Sequence, residues 1–222
     1  MSAELKVSGV PLSPYAKKVL AVLRLKGMQF TLDPVTPLEE SKTPEFMEKS
    51  PLGKIPFIEH GDFVTPDSSV ICDYLESIHP ESPVYPQEPK QRARALWFEE
   101  YADTRLFQVF VGGLFAELVL KPKLLKQDTD QEVVRAALEE GVPEVCTYLE
   151  KVLPKEGFLF GEQIQLADIS LGGTYINARH ADFRIDAERW PTTAAYFDRV
   201  LATDVMQQAQ ADDAALFQKF AA

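Results

Sequence analysis

A chain of 222 residues, 45% hydrophobic and 26% charged, has the make-up of a globular protein with material for one large core or two smaller ones. Asp and Glu outnumber Lys and Arg by 34 to 23, and the formal net charge of -11 argues against nucleic acid and anionic membranes as partners. No apolar run approaches the roughly 20 residues of a bilayer-spanning helix, and the first residues lack the layout of a signal peptide. Cys72 and Cys146 lie far apart within helical patterns and read as buried, reduced thiols, so the expected location is the cytoplasm. His60, His79 and His180 have no metal-ligand spacing, and no metal is expected.

In chain order, Leu5 to Val10 reads as a strand and Pro14 to Lys26 as a helix with Val19, Val22 and Leu23 on its buried face. Arg24 and Lys26 suit the helix C-terminus, and Gly27 supplies the left-handed stop. Between strand and helix lies Ser13-Pro14-Tyr15-Ala16-Lys17-Lys18. Pro14 fits the first helical position, where its missing N–H would have no partner anyway. Ser13 reads either as a plain cap or as a hydroxyl facing a ligand, beside backbone N–H groups that carry partial positive charge. Lys17 and Lys18 oppose the helix dipole, a poor way to stabilise a helix and a reasonable way to receive an anion.

Gln29 to Val35 is a second strand, which makes the first unit βαβ and its strands parallel. A Pro-rich stretch, Thr36 to Pro44, precedes a short helix around Glu45 to Lys49. The run Ser50 to Glu59 contains a strand opened by Pro56, for which a cis Ile55–Pro56 bond is one solution. His60-Gly61-Asp62 turns the chain tightly into Phe63-Val64, and Thr65 to Ser69 opens a helix from about Val70 to His79. Asp67 and Ser68 read as caps, or as holders of a small charged ligand at a second helix N-terminus.

Ile78 to Lys90, with Pro80, Pro83, Pro86 and Pro89, reads as a linker. Gln91 to about Leu120 is helical, interrupted by Gly112-Gly113, which marks a bend, close packing or room for a ligand. Lys121 to Asp130 reads as a polar loop and Gln131 to Leu153 as a second long helix. Asp168 is placed to receive N–H groups at the start of the next helix, where Gly172-Gly173 fits close packing. Trp190-Pro191 opens a helix to about Ala202, and a last one runs from about Asp204 to Phe220.

Ser13-Pro14-Tyr15 after strand one, Gly53-Lys54-Ile55-Pro56 before strand three and Asp67-Ser68 before helix three, in that order, resemble the thioredoxin-like domain of glutathione transferases. The helical remainder resembles their second domain. The resemblance implies an α/β N-terminal thioredoxin-like domain (βαβαββα) plus an all-α C-terminal domain. The expected divisions are 1–79 for glutathione, 80–90 as linker and 91–222 for a second substrate. It departs from the family at Gln165, where Ser or Thr is usual, and at Asp67, where Glu is more frequent.

On matching positions the resemblance implies that Ser13 stabilises the thiolate of glutathione, the co-substrate. The backbone of Ile55, held by a cis bond to Pro56, would pair with the cysteinyl part; Asp67 and Ser68 would hold the γ-glutamyl end; Lys42 and Lys54 would lie near the glycyl carboxylate. A hydrophobic electrophile would sit against Tyr15, Tyr101, Thr104, Arg105 and Phe107, whose alternative role is core packing. Asp103 would reach the partner subunit's glutathione in a homodimer. Neither Ser13 nor Ala16 is a cysteine, so Cys-x-x-Cys redox chemistry is not available. Tyr15 is the alternative thiol donor. The alternative functions are glutathione-dependent peroxidase or isomerase chemistry, and a non-catalytic glutathione-binding or assembly module of the same fold.

Overall fold

The computed structural model describes residues 4–36 and 42–221, so the expected Pro-rich stretch falls largely outside the described residues. Four strands, β1 (Leu5–Ser8), β2 (Thr31–Asp33), β3 (Phe57–His60) and β4 (Phe63–Pro66), form one sheet in the order β2-β1-β3-β4. β1 pairs in parallel with β2, Val7 opposite Leu32, and antiparallel with β3, Val7 opposite Ile58. The turn at Gly61 (φ 64) returns the chain from β3 into β4.

α1 (Pro14–Leu25), α2 (Pro44–Lys49) and α3 (Ser68–Ile78) complete the expected βαβαββα order. Leu5, Val7 and Ile58 from the sheet close a core with Val19, Val22 and Leu23 of α1 and with Ile71, Cys72 and Leu75 of α3. Gly27, at φ 65, stops α1 as expected.

The stretch expected as a linker is anchored at its middle. Val84 and Tyr85 are buried, and the Lys26 ammonium donates to Glu76 Oε2, His79 O and Ser82 O. α4 begins inside the expected linker, at Pro89–Tyr101, because Glu88 accepts the N–H groups of Lys90 and Gln91 as its cap. It continues without a break as wider, π-type turns over Ala102–Leu125, ended by Lys126 at φ 54. The expected polar loop therefore shrinks to 126–130. Glu117 closes it by accepting from the Asp130 N–H at 2.9 Å, while the Thr129 hydroxyl donates to the Glu117 carbonyl.

The expected helix from Gln131 to Leu153 is three pieces: α5 (Gln131–Ala136), a π-type turn over Ala137–Gly141, and α6 (Val142–Val152). Pro143 removes an N–H from the ladder just where the pitch changes. α7 (Leu166–His180) runs through the middle of the helical domain, packed against α1 and α4, with α8 (Pro191–Leu201) and α9 (Asp204–Ala221) outside it.

One glycine of each pair marks close packing. A Cβ on Gly113 would lie 2.5 Å from the Ala137 Cβ, and one on Gly172 would lie 2.5 Å from Val200 Cγ1. Asp168 opens α7 by accepting from the N–H groups of Gln165 and Leu159 and from the Tyr196 hydroxyl. Gln165 precedes α7 in extended conformation (φ -127, ψ 178), at the position where Ser or Thr is usual. Cys72 and Cys146 are free and buried. Among the described residues, no helix is long and apolar enough to cross a membrane.

Candidate active site

Three pieces of backbone converge beside the N-terminus of α1. Ser13, in extended conformation (φ -71, ψ 122), precedes Pro14, and its Oγ accepts the Ala16 N–H at 3.3 Å. Among the described residues nothing accepts the hydroxyl's own proton, and the residue is partly exposed. The second piece is the loop before β3, where Ile55–Pro56 is cis. Ser50 shapes it, donating to the Lys54 carbonyl at 2.7 Å and accepting the Lys54 N–H at 3.2 Å. This loop presses onto α1 because Gly9 has no side chain: a Cβ there would stand 3.3 Å from the Ala16 Cβ and 3.6 Å from the Pro56 Cβ. The Ile55 peptide groups stand outside the sheet ladder, which begins at Phe57. Lys42 lies over the same loop, its Cε 3.2 Å from where a Gly53 Cβ would be, with exposed Lys54 next to it.

The third piece is the start of α3. Asp67 adopts φ 75, an unusual conformation that Asp tolerates better than most residues, and its Oδ1 accepts the N–H groups of Ser69 and Val70. Ser68 is buried behind it. α1 and α3 are tied together by Lys18, whose Nζ donates to Ser69 Oγ at 3.1 Å.

Lys17 and Lys18 do not face an incoming anion. Both are 1% exposed, and each is engaged by carboxylates of the helical domain. Lys17 meets Asp213 of α9 at 2.6 Å, while Lys18 meets Glu99 at 2.8 Å and Asp103 at 2.7 Å. Burial disfavours the Lys18 cation, but Asp103 and Glu99 outweigh it and hold the ammonium pKa above the ordinary lysine value. One ammonium facing two carboxylates leaves a surplus negative charge, and burial pushes the Asp103 carboxyl up. Asp103 is thus held by Lys18 of its own chain. The positive end left at this site is the backbone of α1 itself.

The expected second-substrate residues divide between two faces. The Tyr15 ring stacks on Phe107 at 5.2 Å, and its hydroxyl donates to the Asp103 carbonyl at 2.8 Å. Burial pushes the Tyr15 phenol up to about 12. Tyr101 instead packs on Tyr148 of α6 at 4.8 Å, and Arg105 forks onto Glu144 of α6. Exposed Thr104 donates back to the Glu100 carbonyl of its own helix.

The sequence reading missed the apolar group beyond Tyr15. There Leu12, next to Ser13, clusters with Val111 and Phe115, and Phe107 together with Leu216 and Phe217 of α9 pack against the group. Apolar periodicity marks these residues as buried without indicating which core they join. The buried Lys17–Asp213 and Lys18–Glu99–Asp103 pairings were also missed, since nothing local to Lys17 or Lys18 points to partners in a distant helix.

The comparisons agree with this arrangement over both parts of the chain. The family model for the N-terminal domain of glutathione S-transferase matches residues 7–83, and that for the C-terminal domain matches residues 132–199. Glutathione S-transferase 1 of Dianthus caryophyllus is 31% identical over 193 residues, covering 86% of this chain and 84% of that one. A glutathione S-transferase from Rhodospirillum rubrum F11 superposes with a TM-score of 0.81 at 20% identity, covering 92% of this chain and 91% of that one. Glutathione S-transferase-I, solved with lactoylglutathione bound, gives a TM-score of 0.81 at 20% identity over 95% of this chain and 100% of its own. With both domain models matched in order on a thioredoxin-like sheet and a helical partner domain, this chain belongs to the glutathione S-transferase family and is a glutathione transferase.

Proposed function

We propose that this glutathione transferase is of the serine type, with Ser13 holding the sulfur of glutathione as a thiolate for attack on a hydrophobic electrophile. A free thiol has a pKa near 8.5, and each unit of lowering takes about 1.4 kcal/mol of preference for the anion. The α1 N-terminus and one hydroxyl donor together supply energy of that order. The observation that carries this reading is the contrast between two hydroxyls. Ser13 sits at the helix start with no described acceptor for its proton, whereas the Tyr15 proton is already given to the Asp103 carbonyl.

The rest of the tripeptide follows the three converging pieces. The free peptide edge of Ile55, next to cis Pro56, pairs with the cysteinyl residue, and Asp67 and Ser68 at the α3 start hold the γ-glutamyl end. Lys42 and Lys54 take the glycyl carboxylate at the other side of the loop. The thiol proton leaves to solvent, the Ser13 hydroxyl donates to the sulfur anion, and sulfur forms its new bond to the electrophilic carbon. In a substitution the leaving group departs with the bonding pair; in an addition the adjacent carbon takes up a proton. Tyr15 and Phe107 form the near wall for the apolar substrate, contributed by 1–79 and 91–222 across the linker 80–90. The working form in this reading is a cytoplasmic homodimer.

A panel of aryl halides, Michael acceptors and hydroperoxides, each assayed with glutathione, tests the function. Conjugation of at least one apolar electrophile is expected. Calorimetry should show glutathione binding in the micromolar-to-millimolar range, about −8 to −4 kcal/mol. Binding without turnover of any member would favour the non-catalytic module. Sedimentation at micromolar concentration should give twice the chain mass; a monomer would remove the dimer from the proposal.

A further inference from the structure

The loop that presents Ser13 is held at two consecutive carbonyls by side chains of α1 and α7. Lys17 Nζ donates to the Pro11 carbonyl at 2.9 Å, and Asn177 Nδ2, from the middle of α7, donates to the Leu12 carbonyl at 2.8 Å. Lys17 is itself fixed by Asp213 of α9, whose Oδ2 lies 2.6 Å from Nζ and 2.8 Å from His180 Nε2. Lys17 is 1% exposed, and Asp213 and Asn177 are 0% exposed. α7 lies directly against the start of α1: a Cβ at Gly173 would stand in van der Waals contact, 3.5 Å from Lys17 Cδ and 3.9 Å from the Pro14 carbonyl. Within the loop, the Ser13 N–H donates to the Val10 carbonyl at 3.0 Å, so a shift at residues 10–12 moves Ser13 directly.

We propose that Lys17, Asp213 and Asn177 are positioning residues for Ser13, through which α7 and α9 set the place of its hydroxyl; this rests on the serine-type reading above. Stability alone is a weak reason for such a cluster. A buried ion pair loses much of its attraction to desolvation, and apolar replacements of similar volume are often no less stable. The cluster also leaves Asp213 Oδ1 and Asn177 Oδ1 buried without partners among the described residues. What it gains is direction: two donors aimed at adjacent carbonyls, one residue before the hydroxyl whose distance to the sulfur sets the thiolate pKa. A donor displaced by an ångström loses most of its preference for the anion, while the groups at Ile55, Asp67 and Ser68 stay where they are.

The experiment compares the wild type with the Lys17→Met/Asp213→Leu double variant, Asn177→Leu and Ser13→Ala. It reads kcat and KM for glutathione with chlorodinitrobenzene, the ultraviolet titration of bound glutathione thiolate, and the melting temperature. The double variant and Asn177→Leu should melt near the wild type and keep KM within about twofold. Their kcat should fall about tenfold or more, and the thiolate midpoint should rise by about one pH unit. Asp213→Asn keeps the shape and serves if the double variant does not fold, with the same direction expected. If Ser13→Ala raises the midpoint and folded cluster variants leave it unchanged, the positioning role is wrong and the Ser13 reading stands. If Ser13→Ala leaves the midpoint unchanged, both fall together.

Discussion

The Tyr15 hydroxyl donates to the main-chain carbonyl of Asp103 at 2.8 Å, across the junction of the two domains. Tyr15 sits two residues after Ser13 and is the alternative donor for the thiol. Its proton is committed, and burial raises the phenol to about 12, so it neither donates freely nor ionises near neutral pH. Tyr15→Phe should therefore cost less than about tenfold in kcat, with its largest effect on KM for the apolar substrate through the Phe107 stack. Ser13→Ala should cost about 10²-fold or more in kcat with little change in glutathione affinity. Steady-state kinetics on the two variants decides; the reverse ranking would move the donor role to Tyr15.

Stability should fall on the alkaline side as buried thiols and a buried phenol are forced to ionise. Burial pushes the Cys146 thiol up from 9.0 to about 12 and the Tyr15 phenol from 10.0 to about 12, and it raises Cys72 as well. A raised pKa means that the folded state keeps a proton the unfolded chain releases. The stability from these groups is then fully present below about pH 9 and is lost as pH rises toward the folded values. Urea midpoints should hold between about pH 8 and about pH 9 and decline from there to about pH 11. A flat profile would contradict the burial of these groups.

How much was legible depended on how local the signal was. Pro14 and Gly27 bracket α1, and Pro56 opening an apolar strand left a cis Ile55–Pro56 bond as one solution, because each feature is set by its own few residues. Lys17 and Lys18 were misread for the opposite reason. The dipole argument considers one helix end, while the partners that bury them lie 196, 81 and 85 residues away at Asp213, Glu99 and Asp103. The polar loop expected after Leu120 became helix for a similar reason. Packing of Val119 and Leu124 carries the wide turns past Pro122, and hydropathy does not distinguish a 3.6-residue turn from a wider one.

Gly172 offers a test of the packing at the centre of the helical domain. With a Cβ 2.5 Å from Val200 Cγ1 and 3.1 Å from Met206 Cε, Gly172→Ala forces α8 away from α7. The gain in helix propensity, about 1 kcal/mol, is smaller than an overpacking cost of about 1–3 kcal/mol. A net loss of stability is expected by chemical denaturation. A Cβ on Gly112 meets only the Phe107 carbonyl at 3.8 Å, so Gly112→Ala should stabilise instead. Equal effects at the two positions would mean that the close approach of α7 and α8 is not tight.

Ser13→Cys gives the sharpest test of where the sulfur of glutathione lies. The introduced thiol stands at the start of α1, where unpaired backbone N–H groups favour the thiolate and lower its pKa. Lys17 adds little to that lowering, since Asp213 neutralises it. In the proposed site, oxidised glutathione held at Ile55, Asp67 and Ser68 would present a disulfide sulfur to this thiolate. Attack breaks the S–S bond, joins one half to position 13 and releases the other half as a glutathione thiolate, so the exchange needs no further oxidant. Intact mass should rise by one glutathionyl group, and peptide mapping should place it at position 13. Conjugation should fall while deglutathionylation appears. Cys72 and Cys146 are internal controls, buried with raised pKa values, and stay unmodified while the protein is folded. If the new cysteine takes up no glutathione under conditions that modify an exposed thiol, Ser13 does not face the ligand sulfur. The serine-type mechanism would then be wrong, whatever the rate of Ser13→Ala.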